Sequence, residues 1–409
     1  MRILIANHSL ARPAGSETYV VTLARALRRL GHEVVGFSPR LGQVAEQLRR
    51  EGIPTVVDAR EAGAVDVIHS SHLDSTHLAL AAMPLTPVVF VQHGVGTREV
   101  LERPPQPRGS IEKWVAVSQR VAEAMAWRDG LLRDQIHVVP NPVDLERFAP
   151  LYPIRTPPRT ALFLSNLQTP EMRRLVSDAC RLAGIAPRFL GGSRSSLDIR
   201  SELMVADVVV TIGRGAIEAM ACGRPVILLS VAGGDGLLTP DTAMAARRTN
   251  YSGLMSRTIP TAHELAADLR RATPDLGEWG RRWVEEHHDV RRLAPRFVAL
   301  YEEAIRAFQE RLRGEGLAAV LAARYGEFYP ALRWYYNVPA TFDSARTAVA
   351  FPVWAPDADD ELELLLARLK DEITLWRRRY EWVVGYRPIG LVIGAARRLR
   401  QAVEKRIRR

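Results

Sequence analysis

The sequence has few of the features that mark several large classes of protein. Only two of its 409 residues are cysteines, Cys180 and Cys222, and they do not show the spacing of metal ligands. This argues against a disulfide framework or a zinc site and favours a reducing compartment. No apolar run is long enough to span a bilayer, and the apolar stretch after Arg2 is too short for the core of a signal peptide. We therefore expect a soluble, cytoplasmic chain.

A glycine fingerprint for a dinucleotide and a basic surface for nucleic acid are also missing. The loop after the first apolar run lacks GxG spacing, so no dinucleotide cofactor is expected. The net charge is +10, but residues 396–409 hold seven Arg or Lys against one Glu and supply +6 of it. The basic charge therefore belongs mainly to a tail, and no nucleic-acid partner is predicted.

The order of apolar runs predicts an α/β protein with two halves. In 1–145, short and continuously apolar runs alternate with helical patterns, which is typical of a doubly wound parallel sheet. A proline-rich stretch, 141–158, lacks either periodicity and is predicted to be a linker. A second β-α-β series fills 159–288, and a helix at 289–312 is expected to close it. Ligands of such sheets collect at the carboxyl ends of the strands.

Residues 313–409 do not continue this pattern and are predicted to form a helical extension. An apolar seam with steps of four and three runs from Leu362 to Val383, which predicts a heptad helix at 359–384. It would either fold back onto its own chain or form a homodimer or partner contact. The segment 389–409 is typical of a basic amphipathic helix on an anionic membrane surface; the alternative is a solvated tail.

Two glycine-containing loops are candidate ligand sites. Gly15 precedes a helix that we expect Ser16 to cap, and such a helix start presents backbone N–H groups to an anion or a sugar hydroxyl. In the second half, a buried strand ends at 213–215, and the following helix carries Glu218 on its first turn. The helix start and Arg214 suit a diphosphate, and the Glu218 carboxylate suits two ribose hydroxyls. The alternative in both places is an ordinary turn in which these residues serve only the helix.

Several segments, in order, resemble the family-4 glycosyltransferases of the GT-B fold. Residues 14–17 are similar to that family's Gly-Gly-x-Glu loop, and IHVVPNPVDLERF (136–148) closely matches its Val-Ile-Pro-Asn-Gly-Val-Asp-x-x-x-Phe segment. IEAMACGRPV (217–226) matches the segment around the second Glu of its E-x7-E motif, and APRFVALYEEAI (294–305) resembles its closing helix. The resemblance covers about the first 310 residues. It implies two Rossmann-like domains facing a cleft, followed here by the mainly α extension.

The resemblance also implies an activity and a set of site residues. The activity is the retaining transfer of a sugar from a nucleotide-sugar donor to a glycan, lipid-linked or small-molecule acceptor, as in polysaccharide biosynthesis, with no tightly bound metal or cofactor. Catalysis would involve His93, near the transferred sugar, and Glu218, on the nucleotide ribose. Donor-binding residues would be Gly15, Arg173, Arg194, Gly213, Arg214, Gly215, Ala216 and Glu218. Without the resemblance, His93 would be interpreted as a histidine that only caps a loop.

Two departures from the family pattern weaken this assignment. The family's first Glu corresponds to Val210, and Ser165-Asn166 stands where the family has Gly-Arg. A buried diphosphate needs positive partners, and Arg173, Arg174 or Arg194 are the candidates to replace the missing cations. Otherwise the donor differs, or the protein is a catalytically degenerate GT-B scaffold or partner subunit.

A cytoplasmic enzyme with a lipid-linked acceptor would work at the inner face of the membrane.

Overall fold

The computed structural model of the protein describes residues 1–95, 108–191, 198–256 and 258–326. All of these belong to one compact unit, Met1–Phe328. The predicted heptad helix at 359–384, the basic tail at 389–409 and Arg194 lie outside the described residues. Cys180 and Cys222 are both buried free thiols.

The first domain is built on a parallel sheet of seven strands. In chain order the strands are β1 Arg2–Ala6, β2 Glu33–Phe37, β3 Thr55–Val56, β4 Val67–Ser70, β5 Val88–Gln92, β6 Lys113–Ala116 and β7 Ile136–Val138. Their order across the sheet is β3-β2-β1-β4-β5-β6-β7. The order reverses between β1 and β4, and such a switch point leaves a crevice at the carboxyl ends of the two strands.

In the described part of this domain, four α-helices connect the strands. They are α1 Gly15–Arg29, α2 Gln43–Arg50, α3 Leu73–Ala82 and α4 Gln119–Trp127. The buried face of α1 carries Val20, Leu23 and Leu27 at helical spacing. The prediction that Ser16 caps α1 is wrong, because the helix begins at Gly15 and the Ser16 hydroxyl donates instead to Glu17 Oε2 at 2.9 Å.

The second domain carries a sheet of five strands with one antiparallel edge. The strands are β8 Thr160–Leu164, β9 Ala186–Leu190, β10 Val208–Thr211, β11 Val226–Ser230 and β12 Gly233–Leu237. Their order is β12-β11-β10-β8-β9, and β12 runs antiparallel to β11. The helices are α5 Pro170–Ala183, α6 Ile199–Val205, α7 Arg214–Ala221, α8 Pro240–Arg248, α9 Ala262–Arg271 and α10 Pro274–His287.

Two further helices follow: α11 Val290–Glu315 and α12 Leu317–Gly326. The helix expected to close the second domain at 289–312 is α11, and its apolar face packs into the core of the first domain. Phe297 and Tyr301 on this face are fully buried. Burying side chains of this size contributes about 2 kcal/mol each. The chain therefore crosses between the domains twice, once at 141–158 and once just before α11.

Candidate active site

The carboxyl ends of the two sheets face a shared cavity of about 290 Å³. Its walls come from the loop after β1, the start of α1, the loops after β8, β9 and β10, and the start of α7. Among the lining residues are Ala14, Gly15, Thr18, Thr22, Arg147, Leu164, Ser165, Asn166, Gly191, Thr211, Arg214, Gly215 and Glu218. A larger cavity, about 580 Å³, lies beside Lys113 and Trp114 at the amino end of β6, where parallel sheets do not collect ligands.

The first-domain wall of the cavity is the amino end of α1. A Cβ atom placed on Gly15 would meet no other heavy atom within 4 Å, so nothing in the folded chain requires glycine there. No side chain caps this helix start. Backbone N–H groups of the first turn therefore face a space that an anion or a hydroxyl can enter.

The second-domain wall is formed by α7. A Cβ atom on Gly215 would lie 2.5 Å from Thr211 Oγ1, so glycine is needed for the close approach of α7 to β10. Gly213 precedes the helix with φ of 59°. The prediction that Glu218 lies on the first turn is wrong, since α7 begins at Arg214 and Glu218 belongs to its second turn. Ala216 is fully buried, and neither it nor Gly213 lines the cavity.

Arg214 is engaged by the protein itself. Its Nη1 donates to the carbonyl of Pro142 at 2.8 Å, and its Nη2 donates to Thr22 Oγ1 of α1 at 2.6 Å. Its Nε lies 2.8 Å from Glu218 Oε1, an ion pair in which the N–H is not aligned for a hydrogen bond. Arg214 thus joins the second domain to the first, which the sequence did not predict. Burial raises the pKa of Glu218, and the charge of Arg214 opposes this rise.

Arg147 is a cavity residue that the sequence analysis did not select. It lies in the segment predicted as a linker, and it lines the cavity together with Gly15 and Glu218. Burial lowers the pKa of its guanidinium, as does the charge of Arg25, whereas Glu218 and Asp198 raise it. A proline-rich linker gives no signal for such a role.

The candidate catalytic histidine, His93, directly follows β5 but does not line the cavity. Its Nε2 is 3.2 Å from Ser71 Oγ, and its ring meets the edge of Tyr19 with centroids 4.5 Å apart. Burial, aided by the charges of nearby histidines and Arg214 and opposed by a hydrogen bond with Asn141, lowers the pKa of His93 to about 3. His93 is therefore a neutral imidazole at the first-domain side of the domain junction.

A cluster of polar side chains follows β1 and β4 at the switch point of the first sheet. His8 Nδ1 pairs with Asp74 Oδ2, and the backbone N–H of His8 donates to His72 Nδ1 at 3.4 Å. Burial lowers the pKa of His72 to about 4. Burial opposes ionisation of Asp74, but the charge and hydrogen bond of His8, the charge of His72 and the backbone N–H of Ser75 together lower the pKa of this carboxyl. The sequence analysis noted neither His8 nor Asp74.

Two of the expected replacement cations, Arg173 and Arg174, do not line the cavity. Arg173 and Arg174 are exposed on α5. The guanidinium of Arg173 lies 4.0 Å from the centre of the Phe189 ring and donates to Gln168. Val210, at the position of the family's first Glu, is fully buried in β10.

In the described part of the chain, no group of three or more His, Cys, Asp or Glu is arranged to hold a metal, and no helix is long and apolar enough to cross a membrane.

Comparisons with known proteins agree with this geometry. Residues 13–147 match the family model described as Glycosyltransferase Family 4. HepE from Anabaena, solved with UDP-glucose, is similar with a TM-score of 0.54 and 16% identity, over 74% of this chain and 99% of that chain. A glycosyltransferase from Rickettsia africae has a TM-score of 0.53 and 17% identity, over 74% of this chain and 98% of that chain. No curated protein matches the chain.

These likenesses confirm the predicted fold and the predicted family resemblance. At such low identities the solved structures show the fold, which is the GT-B arrangement of two Rossmann-like domains. The family match covers most of the first domain. Together, the fold and the family match support a transferase of the glycosyltransferase class.

Proposed function

We propose that the protein transfers a sugar from a nucleoside-diphosphate-sugar donor to an acceptor hydroxyl. The observation that carries the proposal is the cavity between the two sheets, which is lined by a helix start from each domain and by Gly15 and Gly215. Helix starts and glycine loops suit phosphates, which need N–H donors and close backbone approach. HepE was solved with UDP-glucose, which supports this donor class.

Each site residue is assigned a role according to its position relative to the cavity. The start of α7 at Arg214 and Gly215, which line the cavity, lies against the diphosphate, Glu218 accepts from the ribose, and Gly15 leaves room for the donor phosphate or the acceptor. His93 contributes from the first-domain side, near the transferred sugar. The reaction proceeds with retention and without a tightly bound cofactor, and it depends on positioning and on electrostatic stabilisation of the departing diphosphate.

The acceptor is a glycan, a lipid-linked sugar or a small molecule. The basic segment 389–409 supports a lipid-linked acceptor at the inner face of an anionic membrane, because each basic residue near such a surface contributes about 1 kcal/mol of binding. Co-sedimentation of the full chain with anionic and with neutral vesicles tests this proposal. Binding to anionic vesicles that is lost on deletion of 389–409 is expected; equal binding to both vesicle types contradicts it.

A second candidate function is that of a scaffold with the GT-B fold and no activity. Two observations favour it: the valine at position 210, and the ion pair that already engages Glu218 with Arg214. A carboxylate in such a pair has less capacity for ribose hydroxyls than an unpaired one.

Titration with nucleotide sugars separates the two functions. We expect UDP-glucose or another nucleotide sugar to bind the wild type and Glu218→Gln to weaken it roughly ten-fold, the value of one or two hydrogen bonds to a charged group. Glu278→Gln is the matched control, because Glu278 forms an exposed i,i+4 pair with Arg282. A wild type that binds no nucleotide sugar supports the scaffold.

A further inference from the structure

Helices α4, α8 and α11 meet at a surface whose residues do not line the cavity. Arg248, at the end of α8 in the second domain, pairs with Glu123 of α4 in the first domain at 2.6 Å. Burial lowers the pKa of Arg296 in α11, and so does the charge of Arg247, which shows that these two guanidinium groups are close. We name this region the α4/α8/α11 surface; its members are Trp127, Met244, Arg247, Arg248, Arg292 and Arg296.

Two large apolar side chains are exposed beside the ion pair of Arg248 and Glu123. Trp127, at the end of α4, is 90% exposed and lies four residues after Glu123. Met244 of α8 is 58% exposed and lies four residues before Arg248. Residues four apart share one side of a helix, so both side chains flank the ion pair. A single exposed apolar residue is ordinary, but an indole and a thioether beside a group of arginines indicate a surface that a partner covers.

The arginines of this surface carry more charge than their neighbours neutralise. Arg292 and Arg296 lie one helical turn apart on α11 and are exposed. In the described part of the chain they donate to backbone carbonyl groups, Arg247 contacts a thioether sulfur, and none of the three pairs with a carboxylate. The four arginines exceed the neighbouring carboxylates, Glu123 and Glu286, by two charges. Like charges held together in this way favour an anionic partner.

We propose that the α4/α8/α11 surface docks on an anionic lipid bilayer, with Trp127 among the headgroups and the arginines on lipid phosphates. Tryptophan is enriched at membrane–water interfaces, and arginine side chains extend their charges to the headgroups. An acidic peptide would pair with the arginines but would leave the indole exposed. The inference rests on the membrane attachment proposed above for 389–409: that segment holds the protein at the bilayer, and this surface fixes its orientation there.

A dye attached at position 127 tests the docking directly, because Cys180 and Cys222 are both buried. The full chain carrying Trp127→Cys is labelled with nitrobenzoxadiazole and mixed with vesicles of equal parts phosphatidylglycerol and phosphatidylcholine. We expect the emission to shift to shorter wavelength as the dye enters the headgroup region. The control is Val57→Cys, because Val57 is exposed directly after β3, at the opposite edge of the first sheet, and a dye there should show no shift.

Co-sedimentation with the same vesicles measures the contribution of the arginines. The double variant Arg292→Gln/Arg296→Gln should bind about five-fold more weakly for each charge removed. Arg50→Gln/Arg181→Gln changes the net charge equally, but its two arginines pair with carboxylates of their own helices, α2 and α5. This control should change binding less than about two-fold, since solvent screens charges far from the bilayer. Unchanged melting temperatures show that both double variants keep the fold.

The outcomes separate the surface from the basic segment 389–409. Equal emission at positions 127 and 57, or equal binding of the two double variants, overturns the inference and leaves attachment through 389–409 standing. Vesicle binding that survives deletion of 389–409 and still depends on Arg292 and Arg296 supports the surface and removes the role of the segment.

Two further outcomes concern the kind of partner. A full chain that binds no anionic vesicle overturns the surface and the attachment through 389–409, whereas the transferase proposal still depends on the titration with nucleotide sugars. Binding of polyglutamate that requires Arg292 and Arg296, in a chain that binds no vesicle, overturns the lipid assignment in favour of an acidic protein.

Discussion

The carboxyl ends of the strands in both sheets face one cavity, but the residues around them differ between the two domains. In the first domain they are surrounded by buried polar groups: Ser70 Oγ lies 2.5 Å from Thr76 Oγ1, and His69 Nδ1 lies 2.8 Å from the hydroxyl of Tyr301. In the second domain, the described residues at the corresponding edge include glycines with close backbone contacts and the Arg214–Glu218 ion pair. We therefore expect the stability of the first domain's edge to depend on protonation. The stability of the second domain's edge should depend on side-chain volume and on the charge of Arg214.

Acidification is expected to have the largest effect, and most of the buried histidines on which it acts lie in the first domain. Burial lowers the pKa of His69 to about 3 and those of His72 and His77 to about 4. The unfolded chain, with histidine pKa values near 6.5, then binds more protons, so stability is complete above pH 6.5 and falls as the pH drops towards 3. Between pH 7.5 and 5.5 the loss is about 1.4 kcal/mol for each histidine, or about 4 kcal/mol for the three.

Urea unfolding at the two pH values measures this loss. His69→Gln should reduce the loss between pH 7.5 and 5.5 by about 1.4 kcal/mol, because glutamine does not titrate. A pH dependence that is the same in wild type and variant would contradict the origin assigned here.

Removing the charge of Arg214 is expected to have the largest effect in the second domain. Arg214→Met leaves Glu218 buried beside a neutral side chain, which costs about 3 kcal/mol of unfolding free energy. The control is Arg282→Met, which removes an exposed i,i+4 partner of Glu278 and should cost less than about 0.5 kcal/mol. Equal losses of unfolding free energy in the two variants would contradict the burial of the Arg214–Glu218 ion pair.

Adding one methyl group is expected to destabilise the glycine loop of the second domain but not that of the first. Gly215→Ala places a Cβ atom 2.5 Å from Thr211 Oγ1 and is expected to cost about 2 kcal/mol. Gly15→Ala meets open space and should change stability by less than about 0.5 kcal/mol. Thermal unfolding of both variants measures the difference; a Gly15→Ala loss as large as that of Gly215→Ala would show that the first loop is as closely packed as the second.

The smallest effects concern two tyrosine hydroxyls that bond to histidine. Tyr301 bonds to His69 in the first domain, whereas Tyr251 lies 2.9 Å from His288 Nε2 and also accepts from Trp283 Nε1 at 2.9 Å. Tyr301→Phe should cost about 1 kcal/mol, and Tyr251→Phe about 1.5 kcal/mol, because it also leaves the indole N–H without an acceptor. Chemical denaturation compares them, and the reverse order would contradict these bonding partners.

The sequence predicted the sheet architecture well because parallel strands buried on both faces are continuous apolar runs. Strands β5 and β10 are examples in which every residue is buried. It did not predict β12, since Gly233–Leu237 contains three glycines and lacks strand periodicity. Pairing with β11 creates this strand.

The site was less accessible to sequence analysis because its charges are paired across the fold. Glu218 and Arg214 were expected to serve the donor separately, but four residues along one helix bring them into contact. Arg147 could not be recognised, because its place in the cavity depends on how the linker crosses between the sheets. The predicted roles of Gly15, Arg173, His93 and Glu218 stay predictions until binding is measured.

The two chain crossings between the domains are held side by side. Val143 forms a parallel bridge with Asp289, in which its N–H donates to the carbonyl of His288 at 2.8 Å and its carbonyl accepts from Val290 at 3.0 Å. Two adjacent connections oppose twisting and sliding of one domain against the other but permit rotation about the line that joins them. Rotation of one domain about this pair of connections would open the cleft, and the hydrogen bond from Arg214 to Thr22 opposes that opening.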